Sequence, residues 1–181
     1  MAVDEKLQTV RHSCAHVMAE AILRLYPGTK IAIGPAIDNG FYYDFEFPNG
    51  TKFTETEFIA VEKEMRRIIA GNHEFVRREV SKEEALKLFA DQPYKIELIN
   101  DLPEGETIST YEQDGYLDLC RGPHVASTKE INGQAFKLDR VAGAYWRGDS
   151  NRQMLTRVYA LCFAKPNDLK DYLAMLAEAA K

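Results

Sequence analysis

Two short stretches hold most of the side chains that can move protons or bind metal near neutral pH. His12-Ser13-Cys14-Ala15-His16 sets two imidazoles four residues apart. Asp118-Leu119-Cys120-Arg121-Gly122-Pro123-His124 gathers a carboxylate, a thiol and a third imidazole within seven residues. Three of the four histidines therefore fall inside two motifs. On a helix, positions i and i+4 share a face, so His12 and His16 point the same way. In a strand, Tyr116, Asp118 and Cys120 project from one face while Leu117 and Leu119 project from the other. Arg121-Gly122-Pro123 carries turn chemistry that would return His124 to the side of Cys120.

Spacing supports three chemistries. His12, His16, Cys120 and His124 are all good zinc ligands, although a catalytic zinc normally takes three protein ligands and keeps one position open. Cys120 could be a nucleophile activated by a neighbouring imidazole. Imidazoles near their natural pKa could instead position a water for metal-free hydrolysis, with Asp118 as the carboxylate. Composition does not choose among the three. Taken singly, each motif is more often structural than chemical; the pair together outweighs that reading. Cys14, on another helix face, and Cys162, in an apolar run, read as small core residues. His73 reads as an exposed loop residue.

The elements that must position these groups follow from periodicity. Residues 4–26 form one amphipathic helix stopped by Pro27-Gly28. Apolar runs at 30–33 and 41–47, separated by Gly34-Pro35 and Asp38-Asn39-Gly40, predict a pair of strands. Thr54-Glu55-Thr56-Glu57 opens a helix with Phe58, Val61, Met65, Ile68 and Ile69 on its apolar face, and Ser81-Lys82-Glu83-Glu84 opens a shorter one ending near Phe89. Tyr94-Lys95-Ile96-Glu97-Leu98 alternates and predicts a strand, with further strands at 107–111, 115–120, 135–141 and 154–163. Asn167 is expected to cap a final helix bearing Leu169, Tyr172, Leu173 and Leu176. Helices early and late around consecutive strands give an α+β fold with antiparallel sheets packed against helices.

The 181 residues, 45% of them hydrophobic, suffice for one packed domain. No run approaches a membrane span, and the first residues lack the pattern of a secretory signal. Three cysteines without framework spacing favour a reducing, cytoplasmic setting. A net charge of −5, from 23 basic and 28 acidic residues, argues against a free-standing nucleic-acid binder. Arg66, Arg67, Arg77 and Arg78 form a small basic group that could meet phosphate, though such groups are usually solvated faces.

Four stretches together resemble the editing (second additional) domain of bacterial-type threonyl-tRNA synthetases, a relative of alanyl-tRNA editing proteins. They are the two motifs above, Ile33-Gly34-Pro35-Ala36-Ile37-Asp38-Asn39-Gly40-Phe41-Tyr42-Tyr43-Asp44, and Gly143-Ala144-Tyr145-Trp146-Arg147-Gly148-Asp149-Ser150. The resemblance runs over nearly the whole chain and divides it into an editing domain, 1–165, and a linker helix, 166–181. It implies hydrolysis of mischarged seryl-tRNA(Thr), with His12, His16, Lys95, Asp118, Cys120 and His124 as catalytic residues. Tyr43, Gly34, Pro35 and Arg121 would meet the substrate, with Asp118 holding the serine amino group. It implies editing without a cofactor; the alanyl relatives bind zinc through the matching four ligands, which remains the alternative here. The partners implied are the acceptor end of tRNA(Thr) and the remaining synthetase domains in cis, with no membrane and no DNA. Without those domains the chain would not charge tRNA, so either an excised fragment or a free-standing deacylase is expected. The rivals are a zinc-dependent alanyl-type deacylase and a non-catalytic RNA-binding module.

Overall fold

A computed structural model of the chain describes residues 3–181. Helix α1 (Val3–Leu25) opens with Asp4 and Glu5 and closes with Arg24, charges that complement its dipole. Its first turns are amphipathic as expected, but residues 13–22 are buried without interruption. A helix enclosed on all sides is a central element rather than a surface one. Ser13, His16 and Glu20 lie within that enclosed stretch, so each must find a polar partner.

The strands form two antiparallel sheets. The larger contains β1 (Lys30–Ile31), β2 (Ala36–Ile37), β3 (Gly40–Glu46), β7 (Phe136–Tyr145) and β8 (Met154–Cys162). Its order is β1-β3-β8-β7, with β2 also paired to β3. The smaller has the order β4-β5-β6, formed by Val76–Val80, Ile108–Gln113 and Tyr116–Leu119. Helix α2 (Phe58–Ala70) buries the five apolar residues read from its period. Together with α1 and β3 it encloses the main core, which includes Met18, Ile22, Phe41, Phe45, Val61 and Met65.

Two expectations need correction. Residues 94–98 are helical, inside α4 (Pro93–Asn100), which follows α3 (Lys82–Leu88). Pro93 at the first turn supplies a helix start that the short alternation conceals. Strand β4, all but unburied and rich in charge, carries too little alternation to be read from sequence. The last helix, α5 (Pro166–Ala179), starts with Pro166 in its first turn and Lys165 as its cap, rather than at Asn167.

Helix α4 joins the two sheets. Ile99 packs with Ala85, Phe89 and Ile108 beneath the outer face of the small sheet. Tyr94, one turn earlier, packs with Ala32, Trp146 and Leu155 of the large one. Trp146 donates its indole N–H to Glu97 at 2.9 Å, and Arg152 clamps the same carboxylate at 2.7 and 3.1 Å. Trp146 is thus a buried anchor for α4. Replacing it with alanine should cost about 3–5 kcal/mol, the range for a buried aromatic. The denaturation midpoint measures this; an unchanged midpoint would remove Trp146 from the anchor.

Candidate functional site

A polar seam runs where α1 meets the inner face of the small sheet. Ser13, His16 and Glu20 share a helix face because they are three and four residues apart. Opposite them, Tyr111 pairs with Asp118 and Gln113 with Tyr116 across β5 and β6, so these four side chains share one face. At the lower end Gln113 donates to Glu20 at 3.1 Å and to the His16 carbonyl at 3.4 Å. Burial and a hydrogen bond to Asp114 lift the Glu20 carboxyl to about 8.

Asp118 is the charged centre of the seam. Lys95 Nζ lies 2.7 Å from one carboxylate oxygen. Tyr43 and Tyr116 each donate a hydroxyl to the other at 2.7 Å, and His16 Nε2 lies 3.4 Å from it. Lys95 and Asp118 are both only 1% exposed, so neither charge can be met by water. Burial alone would raise the Asp118 carboxyl; the Lys95 ammonium, His16 and the Tyr43 hydroxyl outweigh it and hold the group down to about 2. Arg121, three residues along the chain, points outward and pairs with Glu106 rather than with Asp118.

At the upper end three imidazoles and a thiol meet. Cys120 Sγ lies 3.4 Å from His12 Nε2 and 3.3 Å from His124 Nε2. The Arg121-Gly122-Pro123 turn brings His124 back, as its composition predicts. Gly122 adopts φ +78° and packs so closely on Tyr111 that a Cβ would fall 2.3 Å from the phenol oxygen. His124 is stacked against Phe75 and His12, with Tyr111 at its edge. Burial pushes all three imidazoles down, His16 to about 3, so they are neutral at pH 7. Burial followed by the Asp118 charge pushes the Cys120 thiol up to about 12, which leaves it a poor nucleophile.

These groups open onto one cleft of about 290 Å³. His12, His16, Lys95, Asp118 and Cys120 line it, and so do the expected substrate contacts Tyr43, Gly34, Pro35 and Arg121. Gly34 is sterically required, since a Cβ there would sit 2.1 Å from the Tyr43 ring. His124 stands behind Cys120, against Ser13 at 2.9 Å. Ser13 was not singled out as a site residue, although it lies inside the first motif; only the packing of α1 on the 120–124 turn reveals its role. Cys14 and Cys162 are core residues as expected. His73 is half-buried rather than exposed, 3.6 Å from Asp114. The arginine group is largely neutralised: Arg67, Arg77 and Arg78 pair with Glu64, Glu79 and Glu84, and Arg66 lies over Phe136.

Among the described residues, His12, His16, Cys120 and His124 form a group whose ligand atoms all lie within 4.8 Å of one another. The donor types suit zinc. The second ring nitrogens of His12 and His124 already face the Pro123 carbonyl at 3.2 Å and Ser13 Oγ at 2.9 Å, the outer partners that metal-bound histidines require. The residues present therefore fit the metal.

The family model described as "Threonyl and Alanyl tRNA synthetase second additional domain" matches residues 108–159. The chain is 54% identical over 177 residues to a threonine--tRNA ligase of Rhodopseudomonas palustris, and 53% identical over 180 residues to that of Rhizobium rhizogenes. A threonine--tRNA ligase of Syntrophomonas wolfei is 53% identical over 181 residues. These alignments take in 97–98% of this chain and 26–28% of the relatives, so the chain spans about a quarter of their length. The chain belongs to the threonyl-tRNA synthetase second-additional-domain family. The α+β architecture expected of that family is the one observed, and the motifs at 12–16 and 118–124 form the α1–β6 seam of this second additional domain. Among its described residues no helix is long and apolar enough to cross a membrane.

Two measurements test the electrostatics of the seam. Lys95→Met leaves the buried Asp118 charge uncompensated and should cost about 3–5 kcal/mol, against little change for a surface lysine such as Lys52. The histidines give a pH dependence of definite sign. An unfolded chain protonates them near the ordinary value of 6.5, whereas folded His16 resists to about 3, so stability is full above pH 6.5 and is lost as pH falls through that window. The melting temperature should drop between pH 7 and pH 4, and less steeply in His16→Gln; equal slopes would contradict the buried neutral assignment.

Proposed function

We propose that this domain hydrolyses the ester of seryl-tRNA(Thr), clearing a mischarged product of a synthetic site elsewhere in a longer synthetase. The observation that carries the reading is the opening of both motifs, with the Lys95–Asp118 pair, onto a single small cleft. The need is physical: serine lacks one methyl of threonine, a difference worth only about 1–3 kcal/mol in a binding pocket. A second, smaller site can remove what the first admits.

His12 holds its ring by donating from Nδ1 to the Pro123 carbonyl, which leaves Nε2 free of a proton; that lone pair faces the Cys120 thiol at 3.4 Å, and a water reaches it by taking the thiol's place. It positions or deprotonates the attacking water, and Lys95 stabilises charge growing on the ester oxygen. Asp118 was expected to hold the serine amino group. Its oxygens are engaged by Lys95, Tyr43 and Tyr116, so we assign it to holding Lys95, and an incoming ammonium meets it only by displacing one of them. His16 and His124 orient their neighbours and the terminal ribose; Cys120 packs and polarises the cleft. Tyr43, Gly34 and Pro35 form the wall against the substrate, with Arg121 at the rim.

The acceptor end of tRNA(Thr) is the partner we infer. With a net charge of −5, most affinity for the rest of the tRNA would come from synthetase domains in cis. The inferred setting is the cytoplasm, where Cys14, Cys120 and Cys162 would stay reduced.

The fit of the four ligand atoms to zinc supports one further reading, a metal-dependent deacylase of the alanyl type. In that case His12, His16, Cys120 and His124 hold the ion, which would supply Lewis acidity when bound.

Deacylation of Ser-tRNA(Thr), Thr-tRNA(Thr) and Ala-tRNA(Ala), with and without chelator, separates the readings. Selective cleavage of the seryl ester, unaffected by chelator and reduced about 10²-fold or more in His12→Ala, is the expected result. Loss with chelator and stoichiometric zinc would favour the metal reading. No cleavage of any ester would leave an RNA-binding module.

A further inference from the structure

The hydrogen bonds around Cys120 define the position of each proton. The Val125 amide donates to Ser13 Oγ at 3.0 Å, and the same oxygen lies 2.9 Å from His124 Nδ1. A hydroxyl has one proton to give, and an amide N–H cannot accept it. Oγ could accept from both neighbours, but the buried Ser13 proton would then have no acceptor at either partner; donated to His124 Nδ1 it is satisfied, which makes Nδ1 the unprotonated nitrogen. We propose that Ser13 is a positioning residue: its hydroxyl fixes His124 as the Nε2–H tautomer and aims that proton at Cys120 Sγ.

The rest of the ring agrees. Cys120 Sγ receives His124 Nε2–H at 3.3 Å and the Gly122 amide at 3.2 Å, so its own proton is left for His12 Nε2 at 3.4 Å. His12 Nε2 can accept because His12 Nδ1 donates to the Pro123 carbonyl at 3.2 Å. The chain of donors runs one way, from the Val125 amide to the Pro123 carbonyl. Packing alone could not select it. Phe75 and His12 stack on the faces of His124 and fix its plane, but a half-turn of the ring preserves those contacts. Only a hydrogen bond distinguishes nitrogen from carbon at the ring edge. Ser13 is itself completely buried, so no water replaces it.

This inference rests on the metal-free form of the proposed function, because a metal on Nε2 would move the His124 proton to Nδ1. Long-range proton–nitrogen correlation on the ¹⁵N-labelled 181-residue chain, with its metal content measured, reads the tautomer directly. Wild type should show His124 protonated at Nε2. Ser13→Ala should lose that preference while keeping its amide spectrum, and should lower kcat for the seryl ester about 10–100-fold, the scale for loss of an orienting partner, with KM little changed. A wild-type Nδ1–H tautomer overturns the proposal, as does Ser13→Ala with an unaltered tautomer. Should Ser13→Ala fail to fold, the wild-type spectrum still decides. An Nε2–H His124 in a chain that cleaves no ester would sustain the role of Ser13 and refute the deacylase reading.

Discussion

A carboxylate taken wholly out of water needs a cation and hydrogen-bond donors at fixed distances, and Asp118 imposes that requirement on the whole molecule. Its cation comes from α4, its donors from β3 and its own strand β6, and its histidine from α1. Four elements far apart in sequence are thereby held at one point. Breaking such a pair is costlier than never having made it, since the surviving charge has no solvent to relax into. The geometry of the cleft is accordingly stiff.

The same burial sets the chemistry. In a dry seam the imidazoles are neutral and the thiol keeps its proton, so the reactive cleft offers proton acceptors and a fixed ammonium rather than a thiolate. A water-activating site is consistent with that, and so is a ligand set awaiting a soft divalent ion. What distinguishes them is where the ring proton of His124 resides, since His12 keeps its proton on Nδ1, facing the Pro123 carbonyl, in both. The backbone decides it in part, through the Val125 amide.

Helix α1 explains how a short motif can do this. Enclosure of residues 13–22 leaves its polar members no solvent, so Ser13, His16 and Glu20 each take a partner from the small sheet or the 120–124 turn. Packing specificity and site geometry are the same set of contacts. Glu97, tied to Trp146 and Arg152, plays the corresponding part for α4 by fixing the helix that delivers Lys95.

Much of this was legible in the sequence. The i,i+4 histidines, the alternation from Tyr116 to Cys120 and the turn at Gly122-Pro123 fix which groups share a face, because those periods are properties of the local backbone. The helix α2 face and the long strands of the large sheet were equally plain. The setting of Lys95 was not, although the family resemblance named the residue: five alternating residues fit strand and helix alike, and its burial depends on α4 lying between two sheets. Strand β4 was silent because four of its five residues are exposed and so leave no apolar alternation. The residue types and the local faces thus belong to the sequence. The tertiary structure alone decided which charges lose their water, which tautomers the rings must adopt and which serine orients them, since desolvation and hydrogen-bond direction arise only where distant segments meet.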